Sequence, residues 1–188
     1  MKRAIVTIEG VSPYSQSKYY QVEKKEKESH ADYELRTWRE RVHTDETGHI
    51  IIPPMSFKNC ISEAAKFLSV QIEGKGKATY TKHFEAGVLV NSPVVLPTLK
   101  KDVDGEWLFV PASGRRGDGK RVQKCFPVIR KWGGDVEFLI IDDTITEAPF
   151  RYHIEQAGQL IGIGRFRPRN NGYYGRFKVT KFAFEDFS

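Results

Sequence analysis

Cysteine is scarce in this sequence, and its scarcity limits the kinds of site the chain can build. Only two of the 188 residues are cysteines, Cys60 and Cys125, and they do not form a CxxC pair. A structural zinc site needs several soft ligands close together, and a disulfide scaffold needs more cysteines in a shorter chain. We therefore expect no metal and no cofactor. We also expect the two thiols to be buried and reduced, as in a cytoplasmic protein.

Long apolar runs and nucleotide-binding motifs are also missing. No stretch approaches the roughly 20 apolar residues that a membrane helix needs. The opening MKRAIVTIEG alternates like a strand and lacks the apolar run of a signal peptide. The sequence has no GxxxxGK[ST] pattern and no complete GxGxxG. These absences argue against a membrane protein and against a P-loop or dinucleotide-binding site.

Basic residues, by contrast, are in excess. The chain has 30 Lys+Arg against 24 Asp+Glu, which gives a formal net charge of +6. Such a balance favours a polyanionic partner such as a nucleic acid, although many basic proteins bind none.

Hydrophobic periodicity predicts an α+β fold. The pattern first predicts a strand at 3–9 and an amphipathic helix at 57–68 with Ser56 as its N-cap. Strands follow at 84–90, 94–95 and 107–110, and then a strand pair at 122–131 and 136–141 across Gly133 and Gly134. The chain ends with a helix at about 146–160, capped by Asp142 and Asp143, and a last strand at 173–184. This order fits a split β-α-β unit repeated twice, the ferredoxin-like (RRM-like) antiparallel sheet with two helices on one face. We expect one domain over 1–188 with long insertions.

Two insertions interrupt that predicted core. The first, at about 11–48, alternates acidic and basic residues and also contains five aromatic residues, which predicts an extended loop or a small lobe. The second, at about 70–121, ends in the glycine-rich basic loop SGRRGDGKR. Such a loop suits an electrostatic finger, or else it is a solvated hairpin tip. Its candidate nucleic-acid contacts are Arg115, Arg116, Lys120 and Arg121.

The segment GIGRFRPRNNGYYGRFKV, which follows the second predicted helix, is the main functional candidate. Its first glycine could simply end the helix, but that explanation leaves the later glycines, the arginines and the aromatic residues unexplained. Glycines let a backbone approach phosphates, arginines bind phosphates in a bidentate manner, and aromatic rings stack on unpaired bases. The candidates are Gly162, Gly164, Arg165, Phe166, Arg167, Arg169, Gly172, Tyr173, Tyr174, Gly175 and Arg176.

This segment resembles the glycine-rich loop of the RAMP superfamily, the ferredoxin-like RNA-binding proteins of CRISPR systems. A second stretch, GHIIIPPMSFKNCISEAAKFL, resembles the branch that forms the backbone along a guide RNA, with Ser56, Phe57 and Lys58 at the family positions. Lys58 would then lie at a helix start, where phosphate binding is favourable; the alternative is a surface lysine. The chain departs from the family at Asn59, where glycine is frequent. It also departs two turns into the helix, where Glu63 or Ala64 replaces an arginine.

The resemblance implies a single-stranded RNA-binding protein, with guide RNA as partner, that acts as a homo-oligomer or as a subunit of a ribonucleoprotein complex. We expect it to be non-catalytic. The alternative is a metal-independent endoribonuclease on the same fold, for which His30, Asp32 and His43 would be the candidates. A third interpretation is a relative encoded by a virus or mobile element that imitates such a subunit or coats single-stranded DNA.

Overall fold

The computed structural model describes residues 1–115, 117 and 119–187. Nine strands lie in these ranges: β1 (Lys2–Gly10), β2 (Tyr14–Ser15), β3 (His49–Ile52), β4 (Val88–Leu89), β5 (Val94–Leu99), β6 (Asp104–Pro111), β7 (Arg121–Ile129), β8 (Gly133–Ile140) and β9 (Phe177–Asp186). The α-helices of the same ranges are α1 (His30–Thr37), α2 (Pro54–Leu68), α3 (Thr81–Gly87) and α4 (Glu147–Gln156). None of the helices in this part of the chain is long and apolar enough to cross a membrane.

The central sheet confirms the ferredoxin-like prediction. Its strand order is β4-β8-β1-β9, and each neighbouring pair is antiparallel. Along the chain the core elements follow as β1, α2, β4, β8, α4 and β9, which is the split β-α-β arrangement repeated twice. Both helices pack on one face of this sheet. Phe57 of α2 lies against Phe177 of β9, and Phe150 of α4 lies against Phe138 of β8, with ring centroids 6.3 and 5.3 Å apart.

The opposite face of the sheet is polar and carries carboxylates. Residues that pair directly across antiparallel strands point to the same face, so Thr7 shares this face with Asp135 and Lys181. The Thr7 hydroxyl donates to Asp135 at 2.6 Å, and Lys178 pairs with Glu9 at 3.0 Å. The Arg3 guanidinium, which lies opposite Glu185 on this face, is 4.9 Å from the ring centroid of Phe187.

The two insertions meet in a second sheet. Strand β2 comes from the first insertion and β6 from the second, and both pair with β7, which directly follows the second insertion, so the order is β2-β7-β6. Helix α1 is tied to this sheet by Glu34, whose carboxylate accepts from Arg41 and from the amide of Cys125, both at 2.7 Å. Strands β3 and β5 form a separate pair. We call β2, α1, β6 and β7 together the lobe.

Both cysteines are buried and free. Burial raises the pKa of the Cys125 thiol to about 11 and also raises the pKa of the Cys60 thiol. Both therefore stay protonated near neutral pH.

Several local predictions were wrong because tertiary contacts outweigh local propensity. Residues 84–87 are the end of helix α3 rather than strand, since Phe84 is buried against Phe150 and His153, 6.1 and 4.4 Å between ring centroids. The predicted hairpin between β7 and β8 does not form, since the two strands belong to different sheets. The chain changes sheets at Trp132, whose carbonyl accepts from the Gly10 amide and whose indole N–H donates to the Ser12 carbonyl, both at 2.8 Å.

The predicted helix caps were also wrong. Helix α2 begins earlier than expected, with Pro53 at its N-cap and Ser56 inside its first turn. Thr146, and not Asp142 or Asp143, is the N-cap residue of α4. The Asp142 carboxylate instead accepts from the Thr144 amide at 2.8 Å and pairs with His83 at 2.6 Å.

Candidate nucleic-acid interface

The glycine-rich loop, residues 162–176, connects the end of the α4 region to β9 and folds back on itself. The Gly162 amide donates to the Ala157 carbonyl at 2.9 Å and so ends a π-helical turn, as expected for a helix-terminating glycine. Gly164 and Gly175 have φ values of 80° and 76°, in the region that favours glycine. A Cβ built on Gly175 would overlap the carbonyl oxygen of Ile163. These glycines are therefore required for close packing inside the loop.

Backbone hydrogen bonds attach this loop to the lobe. The Arg165 amide donates to the Ser15 carbonyl and the Gly175 amide donates to the Pro13 carbonyl, both at 2.8 Å. The Ile163 amide donates to the Gly175 carbonyl at 3.0 Å. These three N–H groups already have protein acceptors and are therefore not available to a phosphate.

Arg165 joins the loop to both insertions. Its guanidinium lies between the rings of Phe126 and Phe166, 3.9 and 4.5 Å from their centroids. It also donates to the Ser15 hydroxyl at 3.1 Å and pairs with Glu106 at 3.3 Å. Desolvation by burial lowers the pKa of this guanidinium, which still stays charged. Arg165 thus holds the rings of Phe126 and Phe166 together, with Phe166 on the solvent side.

The other arginines of the loop have protein partners as well. Arg167 and Arg169 both pair with Glu63 of α2, and Arg176 donates to the Gln159 carbonyl at 3.2 Å. Lys58 also has protein partners, because its ammonium group donates to the Ser62 hydroxyl and to the carbonyls of Phe84 and Glu85, each at 2.8 Å. An ammonium has three donors, so these bonds occupy all of them.

The two tyrosines of the loop differ in exposure. Tyr173 is 63% exposed. The Tyr174 hydroxyl donates to Glu106 at 2.6 Å, and its burial together with this carboxylate raises its pKa to about 12. Of the two rings, only that of Tyr173 is openly accessible to a base.

Strands β6 and β7 pair as a hairpin, and near its tip the Ala112 amide donates to the Lys120 carbonyl at 2.8 Å. Arg115 and Lys120 are exposed at this tip, and Arg121 begins β7. The fourth predicted basic residue, Arg116, lies outside the described residues.

Three cavities lie side by side where the lobe meets the glycine-rich loop. Their volumes are 410, 630 and 280 Å³. Lys124 lines the first and the second, and Ser17 and Arg165 line the second and the third, so the three form one continuous surface. We call this surface the basic groove. Its cationic lining residues are Lys18, Lys24, Arg41, Arg121, Lys124 and Arg165.

The three candidate catalytic residues are not gathered in one place. His30 lines the first cavity of the basic groove and His43 lines the third. The Asp32 carboxylate accepts from the Ser29 hydroxyl at the N-terminus of α1. Burial and nearby Lys18 lower the pKa of His43, which keeps its imidazole neutral at pH 7. Within the described ranges no three His, Cys, Asp or Glu side chains are grouped so as to hold a metal ion.

The fold resembles that of one chain in a solved RNA-bound complex. The similar chain belongs to the cryo-EM structure of the Type III-B Cmr-beta bound to cognate target RNA, with a TM-score of 0.57 and 12% sequence identity. The match covers 98% of this chain but only 61% of the Cmr-beta chain. No family model matches the sequence, and no curated protein matches it. At this identity the similarity to the Cmr-beta chain shows a shared fold.

The sequence interpretation missed most residues of the basic groove. Lys18 and Lys24 were part of a polar insertion without periodicity, and Lys124 and Phe126 stood in an ordinary strand pattern. The pairing of β2 with β7 and the hydrogen bond from the Cys125 amide to Glu34 bring these segments together. One available signal was the charge of the first insertion, whose lysines are interleaved with aromatic residues.

Proposed function

We propose that this chain is a non-catalytic single-stranded RNA-binding protein that holds RNA in the basic groove as a subunit of a CRISPR ribonucleoprotein. The observation that carries the proposal is the continuity of three cavities lined by cations and aromatic rings. Support also comes from the RAMP resemblance of two sequence segments and from the fold shared with a chain of an RNA-bound complex. The finer proposal is that copies of the chain assemble along a guide RNA.

In this proposal the lysines of the groove and the glycine-rich loop have different roles. Lys18 and Lys24 are exposed and Lys124 is half-buried, so they are the cations available for phosphates. Phe166 is 47% exposed beside them and offers a ring face for stacking on an unpaired base. The loop itself, through Arg165, holds the groove wall in place. Binding of this kind is sequence-tolerant and falls as salt rises.

The test is RNA binding by a triple variant, with a matched triple variant as control. Lys18, Lys24 and Lys124 are replaced together by Ala, and in the control Lys75, Lys77 and Lys82 are replaced, which removes the same charge near the other end of α2. We expect the groove variant to bind a labelled single-stranded RNA at least tenfold more weakly in fluorescence anisotropy. The slope of log affinity against log salt concentration should become less negative by about 2, because each single-strand phosphate contact that is lost contributes about 0.7. The control should stay within about twofold of wild type.

The same assay decides between the alternatives. Equal losses in the two triple variants, or no binding by wild-type protein, would overturn the groove proposal. Tighter binding of single-stranded DNA in competition would favour the DNA-coating interpretation. Specific cleavage of the RNA without divalent metal, lost in His43→Ala, would instead favour an endoribonuclease centred on the neutral imidazole.

A further inference from the structure

One carboxylate of α2 holds two arginines of the glycine-rich loop. Glu63 Oε2 accepts from Arg167 Nη2 at 2.9 Å, and Glu63 Oε1 lies 3.2 Å from Arg169 Nε. Glu63 is thus the single carboxylate that pairs with either arginine among the described residues. The cavity around the cluster is also lined by Lys66 and Glu85, so its three cations outnumber its two carboxylates and an excess of one positive charge remains.

The surroundings of this cluster leave room for a larger anion. Glu63, Arg167 and Arg169 line a cavity of 590 Å³ beside Ser62 and Phe67. The Arg167 Nε is buried and finds no hydrogen-bond partner in the part of the chain that the structure describes. Two guanidiniums that converge on two oxygens of one carboxylate also suit two oxygens of a phosphate, which brings further acceptors.

The ion pairs of Glu63 with Arg167 and Arg169 are exposed enough for another anion to displace the carboxylate. The side chains of Glu63 and Arg167 are 29% and 30% exposed, and that of Arg169 is 46% exposed. Ion pairs this accessible to water are weak and screened by salt. Arg167 and Arg169 are also close to the basic groove along the chain. Arg167 directly follows Phe166, and Arg169 lies three residues after Phe166, at most about 10 Å of backbone.

We propose that Arg167 and Arg169 form a phosphate site that Glu63 occupies in the RNA-free protein, so that a phosphodiester of the bound strand enters by displacing the Glu63 carboxylate. This inference rests on the proposed RNA-binding function. It gives Glu63 the role of an internal competitor, which lowers affinity for RNA and raises the RNA concentration needed for binding.

The test compares Glu63→Gln with Glu155→Gln. Glu155 pairs with Arg151 on α4 at 3.0 Å and is 39% exposed, so its variant removes the same charge from a similar ion pair elsewhere. We expect Glu63→Gln to bind single-stranded RNA about fivefold more tightly, with a salt dependence steeper by about 0.7 for each additional phosphate that the protein binds. Glu155→Gln should stay within about twofold of wild type. Adding Arg169→Ala to Glu63→Gln should return the affinity to the wild-type value.

A second readout separates this inference from the proposed function. Titration of inorganic phosphate, followed by NMR of the arginine Nε–H groups, should shift the signals of Arg167 and Arg169 in Glu63→Gln and less in wild type. If none of the proteins binds RNA but these signals respond, the proposed function fails and the phosphate site stands. If the signals do not respond in Glu63→Gln, or if its RNA affinity equals that of Glu155→Gln, the phosphate site is overturned.

Discussion

At the scale of single residues, Phe166 is the most informative position. Its φ is 50°, a left-handed conformation that bulky side chains rarely adopt, and yet its ring is 47% exposed. Glycine or asparagine would fit this backbone with less strain, as Asn171 does nearby at φ 59°. The conformation is held by the loop, where the Tyr174 amide donates to the Phe166 carbonyl at 3.0 Å. An exposed aromatic ring kept at an energetic cost points to a use for that ring.

We predict that Phe166→Asn separates RNA binding from stability. Relief of strain is worth about 1–2 kcal/mol, and it offsets the loss of about 0.5–1 kcal/mol from stacking on Arg165. The free energy of unfolding in urea should therefore change by less than about 1 kcal/mol. Loss of a stacked base, worth about 1–3 kcal/mol, should weaken RNA binding at least fivefold. Tyr152→Asn, which removes an exposed ring on α4, is the control. A parallel loss of stability and affinity in Phe166→Asn would mean that the ring is purely structural.

At the scale of elements, the two glycine-rich segments differ although their compositions are similar. Glycines of the 162–176 loop lie against backbone carbonyls, as Gly175 does against Ile163. A Cβ at Gly114, Gly117 or Gly119 of the β6–β7 hairpin tip would meet nothing within 4 Å. The first segment is thus a packed part of the fold, whereas the hairpin glycines face open space.

Replacement of a glycine in each segment by alanine tests this difference. Gly175→Ala places a Cβ at φ 76° against a backbone carbonyl, and we expect it to lower the free energy of unfolding by about 3 kcal/mol. Gly119→Ala meets no neighbour and should change the free energy by less than about 0.5 kcal/mol. Urea denaturation measures both. Equal effects would contradict the packed arrangement of the loop.

Sequence patterns predicted those elements whose burial is periodic and missed those set by distant contacts. The apolar spacing of α2 and the alternation in β1 lie on surfaces that face the core, so both were predicted correctly. Residues 84–87 were predicted as strand together with the apolar residues 88–90 that follow them, whereas the buried ring of Phe84 and the ammonium of Lys58 on the last carbonyls of α3 stabilise a helix. The arginines of the glycine-rich loop were expected to be free for phosphates, and only the folded chain reveals Glu63 and Glu106 as their partners.

At the scale of the whole molecule, charge is distributed unevenly between two surfaces. The open face of the central sheet carries Glu9, Asp135 and Glu185, which lie opposite Lys178, Thr7 and Arg3, and also Glu137, which lies opposite Ile5. The basic groove is built by segments that are far apart in sequence, with Lys18 in the first insertion and Lys124 in β7. No local pattern could reveal that juxtaposition. This charge distribution favours the lobe side over the open sheet face as the surface for a polyanion.

Assembly along RNA is the prediction that belongs to this scale. If copies bind side by side, mixing excess protein with single-stranded RNAs in a doubling series of lengths should give complexes whose protein number doubles with each step. Size-exclusion chromatography with light scattering and absorbance at 260 and 280 nm measures that number, and it also reveals nucleic acid that co-purifies with the protein. Since phosphate contacts supply most of the affinity, these complexes should dissociate as salt is raised, and the Lys18, Lys24 and Lys124 triple variant should not form them at moderate salt. A constant protein number at every RNA length would rule out coating and leave a subunit that occupies a single position on its RNA.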